Sequence, residues 1–264
     1  MATTDVCTLT TGSAPLLISF PHVGTELPDD IAARLTPAAL QLADTDWHLP
    51  LLYDFAGELG ASTLVARYSR YVIDLNRPPE DTSLYPGQDT TGLVPLDTFR
   101  REPLYLGAAP DEKEIAARRT RYWRPYHDAL AGELARLKRE HGRVLLWDAH
   151  SIASELPRFF AGRLPDLNLG TASGASCAQA IQGAMESVLG AQTDFTWVAN
   201  GRFKGGFITR HYGVPASGVH AVQMEMSLRT YMDEAAPFEL REPLAARVRP
   251  VLAQALRAAL RALG

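Results

Sequence analysis

Four groups able to bind a cation or move a proton stand where apolar runs of the chain stop. They are His22 after residues 16–20, Asn76 with Arg77 after residues 71–75, His150 after residues 144–147, and Glu225 near the end of residues 221–226. Neutral imidazole and carboxylate are the usual ligands of a catalytic zinc, which takes three protein groups and leaves a fourth position to water. Two histidines and one acid would complete that set. Either histidine alone reads more plainly as a strand-end ring that caps backbone groups. The pair, each directly after an apolar strand, points to a metal.

The acid has three candidates. Asp46, in Asp44-Thr45-Asp46-Trp47-His48, is the first choice and Glu26 the second. Asp44 and Asp46 also suit helix N-caps, which aspartate favours in any protein. Asp148, two residues before His150, reads as a partner that orients the ring rather than as a ligand. Period two places Glu225 on the same strand face as Ala221 and Gln223; facing a metal, it is the natural general base. Its plainer alternative is an edge or salt-bridged carboxylate. Arg77 has the planar fork that grips a carboxylate, and Arg202, Lys204 and Arg210 form a second basic group around Gly205-Gly206. Those glycines let a backbone approach a ligand, or simply make a hairpin turn. His48 could support the site from behind; the other histidines show no companion pattern. No H-E-x-x-H, G-x-S-x-G, G-x-G-x-x-G or G-x-x-x-x-G-K-[ST] motif occurs, which counts against a serine hydrolase, a dehydrogenase or an ordinary NTPase.

Positioning these groups requires strands that end together. Residues 16–20, bounded by Pro15 and Pro21, predict a short buried strand, and residues 62–67, 71–75, 144–147, 196–199 and 221–226 predict others. Helices are expected after Thr36-Pro37, from Asp46 to Gly60, from Asp111 to His141 with a kink at Pro125, over 175–189, and over 239–263 with interruptions at Pro243 and Pro250. Residues 77–110, rich in Pro, Gly, Asp and Thr, predict a long irregular loop of the kind that covers sites. Alternating strands and helices imply one α/β layered domain over 1–264, with sites at the C-terminal ends of strands. No repeat or linker marks a boundary.

The formal net charge of -4 argues against a nucleic-acid partner, which would need a basic face. An anionic substrate would have to be held by local arginines. With only Cys7 and Cys177, far apart, the thiols read as reduced. No segment resembles a signal peptide or approaches the ~20 apolar residues of a membrane span, so a soluble, cytoplasmic protein is expected.

Six motifs in order carry a family resemblance: residues 19–24 (SFPHVG), 44–48 (DTDWH), 70–78 ending DLNRP, 148–151 (DAHS), 205–210 (GGFITR) and 223–225 (QME). Together, from about Pro15 to Tyr231, the chain resembles the N-formylglutamate amidohydrolases of bacterial histidine breakdown, which are similar in turn to zinc carboxypeptidases and aspartoacylases. The resemblance implies a single α/β domain with a mixed central sheet flanked by helices, one zinc ion, and a small acidic substrate, N-formyl-L-glutamate. By it His22, Asp46 and His150 would bind the metal, Glu225 would be the base, and Asn76-Arg77 would grip a substrate carboxylate, with Arg210 as a second grip. One departure is visible: the carboxypeptidase relatives take their first two ligands from H-x-x-E, yet the residue three after His22 is Thr25. A related amidohydrolase for another N-acyl amino acid, or a non-catalytic binder of small acidic metabolites, are the rival expectations.

Overall fold

The computed structural model describes residues 2–84 and 87–264. In chain order the elements are β1 (Ala2–Thr3), β2 (Cys7–Thr10), β3 (Leu16–Phe20), α1 (Asp29–Ala32), α2 (Leu49–Leu52), β4 (Ser62–Ala66), α3 (Glu112–Arg118), α4 (Arg124–His141), β5 (Val144–Ile152), β6 (Leu167–Gly170), α5 (Gln179–Ala191), β7 (Trp197–Ala199), α6 (Phe207–Tyr212), β8 (Val219–Ser227) and α7 (Glu242–Leu263). The strands form one mixed sheet in the order β1-β2-β4-β3-β5-β8-β6-β7. Its centre, β4-β3-β5-β8, is parallel, so these four strands end on the same side. The edges β1-β2-β4 and the β6-β8 pair are antiparallel. The expected α/β fold with a mixed central sheet is therefore what the chain adopts.

Strand pleating decides which side chains meet. Leu16, Ile18, Phe20, Leu145, Trp147, Val222 and Met224 enter the core beneath α5 and α7. Leu17, Leu146 and Ala221 face the other way, against Tyr126, Leu130, Leu134 and Leu137 of α4. Continuing along that second face toward the strand ends, the alternation brings up Ser19, Asp148, His150, Gln223 and Glu225. One face thus changes from apolar to chemically active as it leaves the core.

Several local expectations are corrected. Residues 71–75 form no strand: both edges of β4 are already paired, and this segment instead turns, with Val72 N–H donating to Ser69 O and Asp74 N–H to Leu93 O. After Thr36 the hydroxyl does cap Ala39 N–H, but only a 3₁₀ turn follows before Leu42 takes a left-handed φ of 51°. Between Asp46 and Gly60 the helix shrinks to α2 plus a 3₁₀ turn. At Pro125 the expected irregularity is present and takes the form of a π turn at Arg119–Trp123, which accommodates the missing donor of proline. α7 begins at Glu242 and runs unbroken through Pro250, because its buried face, with Val248, Leu252 and Leu256, is held by tertiary packing. α5 starts later than expected, at Gln179, since the preceding residues hydrogen-bond to β8 through Ser176. β5 continues to Ile152, so His150 lies within the strand rather than after it. Among the described residues between 77 and 110 no helix or strand forms, as expected; residues 85 and 86 lie outside the described part. Cys7 and Cys177 are buried free thiols.

Candidate metal centre and active site

β3 ends at Phe20, and the Pro21-His22 turn carries His22 off the sheet edge. Asp46 N–H donates to His22 O at 3.0 Å, a backbone tie that brings the 44–48 segment beside the strand end. β5 supplies His150 from the neighbouring strand. The two rings lie with centroids 4.8 Å apart. Asp46 Oδ2 stands 3.2 Å from His150 Nδ1 and 3.9 Å from His22 Nδ1. All three side chains are buried, and their ligand atoms lie within 4.8 Å of one another, so the cluster could hold a metal ion. Tetrahedral ligand atoms each ~2.1 Å from one centre sit roughly 3.4 Å apart, a value bracketed by the spacings of Asp46 from the two imidazoles. Two imidazole nitrogens and a carboxylate oxygen fit a borderline divalent cation by type as well.

Both rings are held from behind. His22 Nε2 donates to Asp74 Oδ1 at 2.7 Å, and His150 Nε2 lies 3.1 Å from Asp148 Oδ2. Each ring therefore turns its Nδ1 toward the shared point, the arrangement by which carboxylates orient metal-binding histidines. Asp74 is fixed in turn by Arg70, whose Nη2 donates to Oδ2 at 2.8 Å, and Asp148 by Ser19, which donates at 3.3 Å while accepting from the Tyr126 hydroxyl. Asp148 thus stands behind the His150 ring and outside the three-residue cluster. The matching role of Asp74 was missed, although its place two residues before Asn76 mirrors that of Asp148 before His150.

A cavity opens over this cluster. Its wall includes Glu225 and Gln223 of β8, the guanidinium-bearing Arg70, Arg77 and Arg202, and Phe99 from the long loop. Glu225 pairs in register with His150 across β5 and β8, so both leave the same face of the sheet. Arg77 lines the cavity while donating through Nε to Thr91 O at 2.8 Å. Asn76 lines it too, but its carboxamide is engaged: Oδ1 accepts from Ile208 N–H at 2.8 Å, and Nδ2 lies 2.9 Å from His150 Nε2. Arg210 lies on α6 with Nε donating to Gly205 O at 2.8 Å, and it is not among the residues lining the cavity; Arg202, from the same basic group, is. Glu26 is removed from contention as a ligand, since it is half exposed and paired with Arg67 at 2.6 Å. Asp44 accepts from the Tyr71 hydroxyl and Phe99 N–H, both at 2.8 Å. His48 sits against Phe238 O, away from the cluster.

The electrostatics sort the groups. Burial lowers the His22 pKa, with the Arg70 charge adding to it and Asp74 opposing, which favours a neutral ring. Burial would do the same to His150, but the carboxylates of Asp148 and Asp46 outweigh it and hold the ring well above its ordinary value. Asp74 is raised by burial, yet His22, Arg70 and Arg77 overcome this and keep it well below the usual carboxylate range. Glu225 goes the other way: burial, helped by Asp46 and Asp148, pushes it up to about 8 against the pull of His150 and Arg70.

A raised carboxyl pKa means that the folded chain binds that proton more tightly than the unfolded one. Its contribution to stability is complete below the ordinary value of 4.5 and is lost as pH rises toward about 8. Glu225→Gln, which cannot ionise, is therefore expected to match the chelator-treated parent in thermal stability near pH 4.5 and to exceed it increasingly up to pH 8. Melting curves of the two proteins across that range check this; a constant gap would contradict it.

This fold and this site define an α/β enzyme scaffold, with its polar chemistry gathered where parallel strands end. The chain belongs to the N-formylglutamate amidohydrolase family, whose model matches residues 14–232. It is 54% identical over 253 residues to the N-formylglutamate deformylase of Pseudomonas aeruginosa, covering 96% of this chain and 95% of that protein. To the N-formylglutamate deformylase of Pseudomonas putida it is 52% identical over 250 residues, covering 94% and 93%. Among solved structures, the N-formylglutamate amidohydrolase of Ralstonia eutropha JMP134 superposes with a TM-score of 0.82 at 26% identity, covering 96% of this chain and 97% of the other. A gene product of Agrobacterium tumefaciens shares the fold, with a TM-score of 0.73 at 18% identity and coverage of 96% and 95%. No helix among the described residues is long and apolar enough to cross a membrane.

Proposed function

We propose that this chain hydrolyses the amide bond of N-formyl-L-glutamate to formate and L-glutamate, using one divalent cation, zinc by the character of its donors, held by His22, Asp46 and His150. The observation that carries this reading is the convergence of those three buried side chains at the floor of a cavity with three arginines on its wall. The names of the two Pseudomonas relatives supply the substrate. A cation bound there would polarise the formyl carbonyl and make a water molecule more acidic.

The chain's own groups do the rest. Glu225 takes a proton from the attacking water as the new C–O bond forms, then returns it to the glutamate nitrogen as the C–N bond breaks. Its raised proton affinity suits both halves of that exchange. Arg70 lines the cavity beside the cluster, and its guanidinium would stabilise the oxygen that gains charge during attack. Arg77 and Arg202 take the two substrate carboxylates; Arg202 replaces Arg210 in this role because it lines the cavity. Asn76 serves chiefly to hold Asp148 in place, its Nδ2 donating to Oδ2. The chain does this as one domain over 1–264, since a single sheet runs from its first strand to β8 and α7 packs beneath it. Two buried free thiols fit a cytoplasmic setting.

Two cationic grips imply a demand for two carboxylates. N-formyl-L-alanine, which lacks the side-chain carboxylate, is expected to release formate with kcat/KM roughly 100-fold or more below that of N-formyl-L-glutamate, the cost of losing one charge-assisted contact to the substrate. Equal kcat/KM for the two substrates would contradict the assignment.

A further inference from the structure

Gln223 precedes Glu225 by two residues on β8, so both side chains leave the same face, and both are buried on the cavity wall. Its carboxamide has only one satisfactory orientation. Gly206 N–H donates to Oε1 at 2.7 Å, and because a backbone N–H can only donate, the oxygen must face it. The amino group is thereby turned the other way, where Nε2 donates to Glu225 Oε2 at 3.1 Å. Asn76 is oriented by the same device: Ile208 N–H fixes its oxygen, and Nδ2 is directed at Asp148 Oδ2, 3.3 Å away. Both backbone donors belong to the turn that opens α6. That turn has no slack, since a Cβ at Gly206 would come within 2.4 Å of the Asn76 amide.

We propose that Gln223 is a positioning residue for the hydrolysis, acting through Glu225: its N–H, aimed by Gly206, pins Oε2 and leaves Oε1 as the oxygen that exchanges the proton. This rests on the reading of Glu225 as the proton carrier. A glutamate side chain has three rotatable bonds, and a carboxylate held at one oxygen keeps the other in a defined place, whereas an unpinned one spreads over several rotamers. Misplacement of a reacting group by about 1 Å can cost about 100-fold in rate.

Two variants separate this role from mere support of the turn. Gln223→Met removes both hydrogen bonds without adding charge. Gln223→Glu keeps an oxygen for Gly206 N–H and, once ionised, loses the donor to Glu225. It also adds a like charge that raises the Glu225 proton affinity, so kcat is compared on the high-pH plateau of each variant, where both carboxylates are ionised. The N–H donor is what both variants lack. Steady-state formate release from N-formyl-L-glutamate is expected to show kcat lowered about 10- to 100-fold in both, with KM within about twofold of the parent. If Gln223 serves only the turn, Gln223→Glu retains the parent kcat and the proposal is overturned; a loss confined to KM in either variant overturns it as well. Melting temperatures identify any variant that fails to fold, in which case the other decides. Glu225→Gln is measured alongside: if it turns over at the parent rate, the reading of Glu225 itself fails, whereas an inactive Glu225→Gln beside fully active Gln223 variants refutes only the positioning role.

Discussion

His150→Ala is expected to lose its tightly held divalent cation and at least about 1000-fold of its turnover, because a bound cation contributes several kcal/mol to the transition state and ~1.4 kcal/mol is a factor of ten. The reason lies in how much converges on that ring. Its Nδ1 is 3.2 Å from Asp46 Oδ2 and its Nε2 is 3.1 Å from Asp148 Oδ2, so its removal takes away one of three ligand atoms and leaves two buried carboxylates without their shared partner. His150→Gln, closer in volume, guards against collapse of the space. Both variants are expected to bind cation too weakly to survive dialysis, as measured by elemental analysis beside the parent. A His150→Ala protein that keeps a stoichiometric ion and full turnover would show that the cluster is structural.

Glu225→Gln is expected to separate chemistry from binding. Replacing the carboxylate by an amide of the same shape removes the proton carrier while leaving His22, Asp46 and His150 in place. General acid–base catalysis is worth about 100- to 10,000-fold, and the loss should fall in kcat, with KM and cation content close to those of the parent. In the parent the same group should appear as a limb in the pH profile of kcat/KM: activity requires the ionised carboxylate as base, and in the cation-free chain that form predominates above about 8. A bound cation beside it would favour the ionised form and move the limb to lower pH. The limb should vanish in Glu225→Gln, and kcat equal to that of the parent would rule out the proposed role.

How much of this could be read in the sequence follows from which signals are local. His22 and His150 stand beside strong apolar runs, and a strand tells the reader both where it stops and which face each residue takes; Glu225 was placed on the face of Gln223 by period two alone, as the pairing of β5 with β8 bears out. Asp46 was harder to choose over Glu26 because the tie that brings it in, from its N–H to His22 O, is a loop contact with no periodicity. Asp74 and Arg70 went without roles for a related reason. Residues 71–75 look like a strand, and only the turn that the chain makes there brings Asp74 behind His22. Arg210 reads ahead of Arg202 because nothing local in the sequence separates three neighbouring basic residues; α6 carries Arg210, with its Nε on Gly205 O, whereas Arg202 precedes the helix and lines the cavity. Proline misleads at Pro250, where packing of a long apolar face carries the helix past a residue that would break an isolated one.

The most direct test is a titration. Protein stripped by chelator and dialysed into metal-free buffer is assayed for formate release from N-formyl-L-glutamate as Zn²⁺ is added back in fractions of an equivalent. With His22, Asp46 and His150 sharing one ion, activity should be near zero at the start and rise linearly to a break at one equivalent. Full formate release from the stripped protein, unchanged by added metal, would contradict a cation-dependent site.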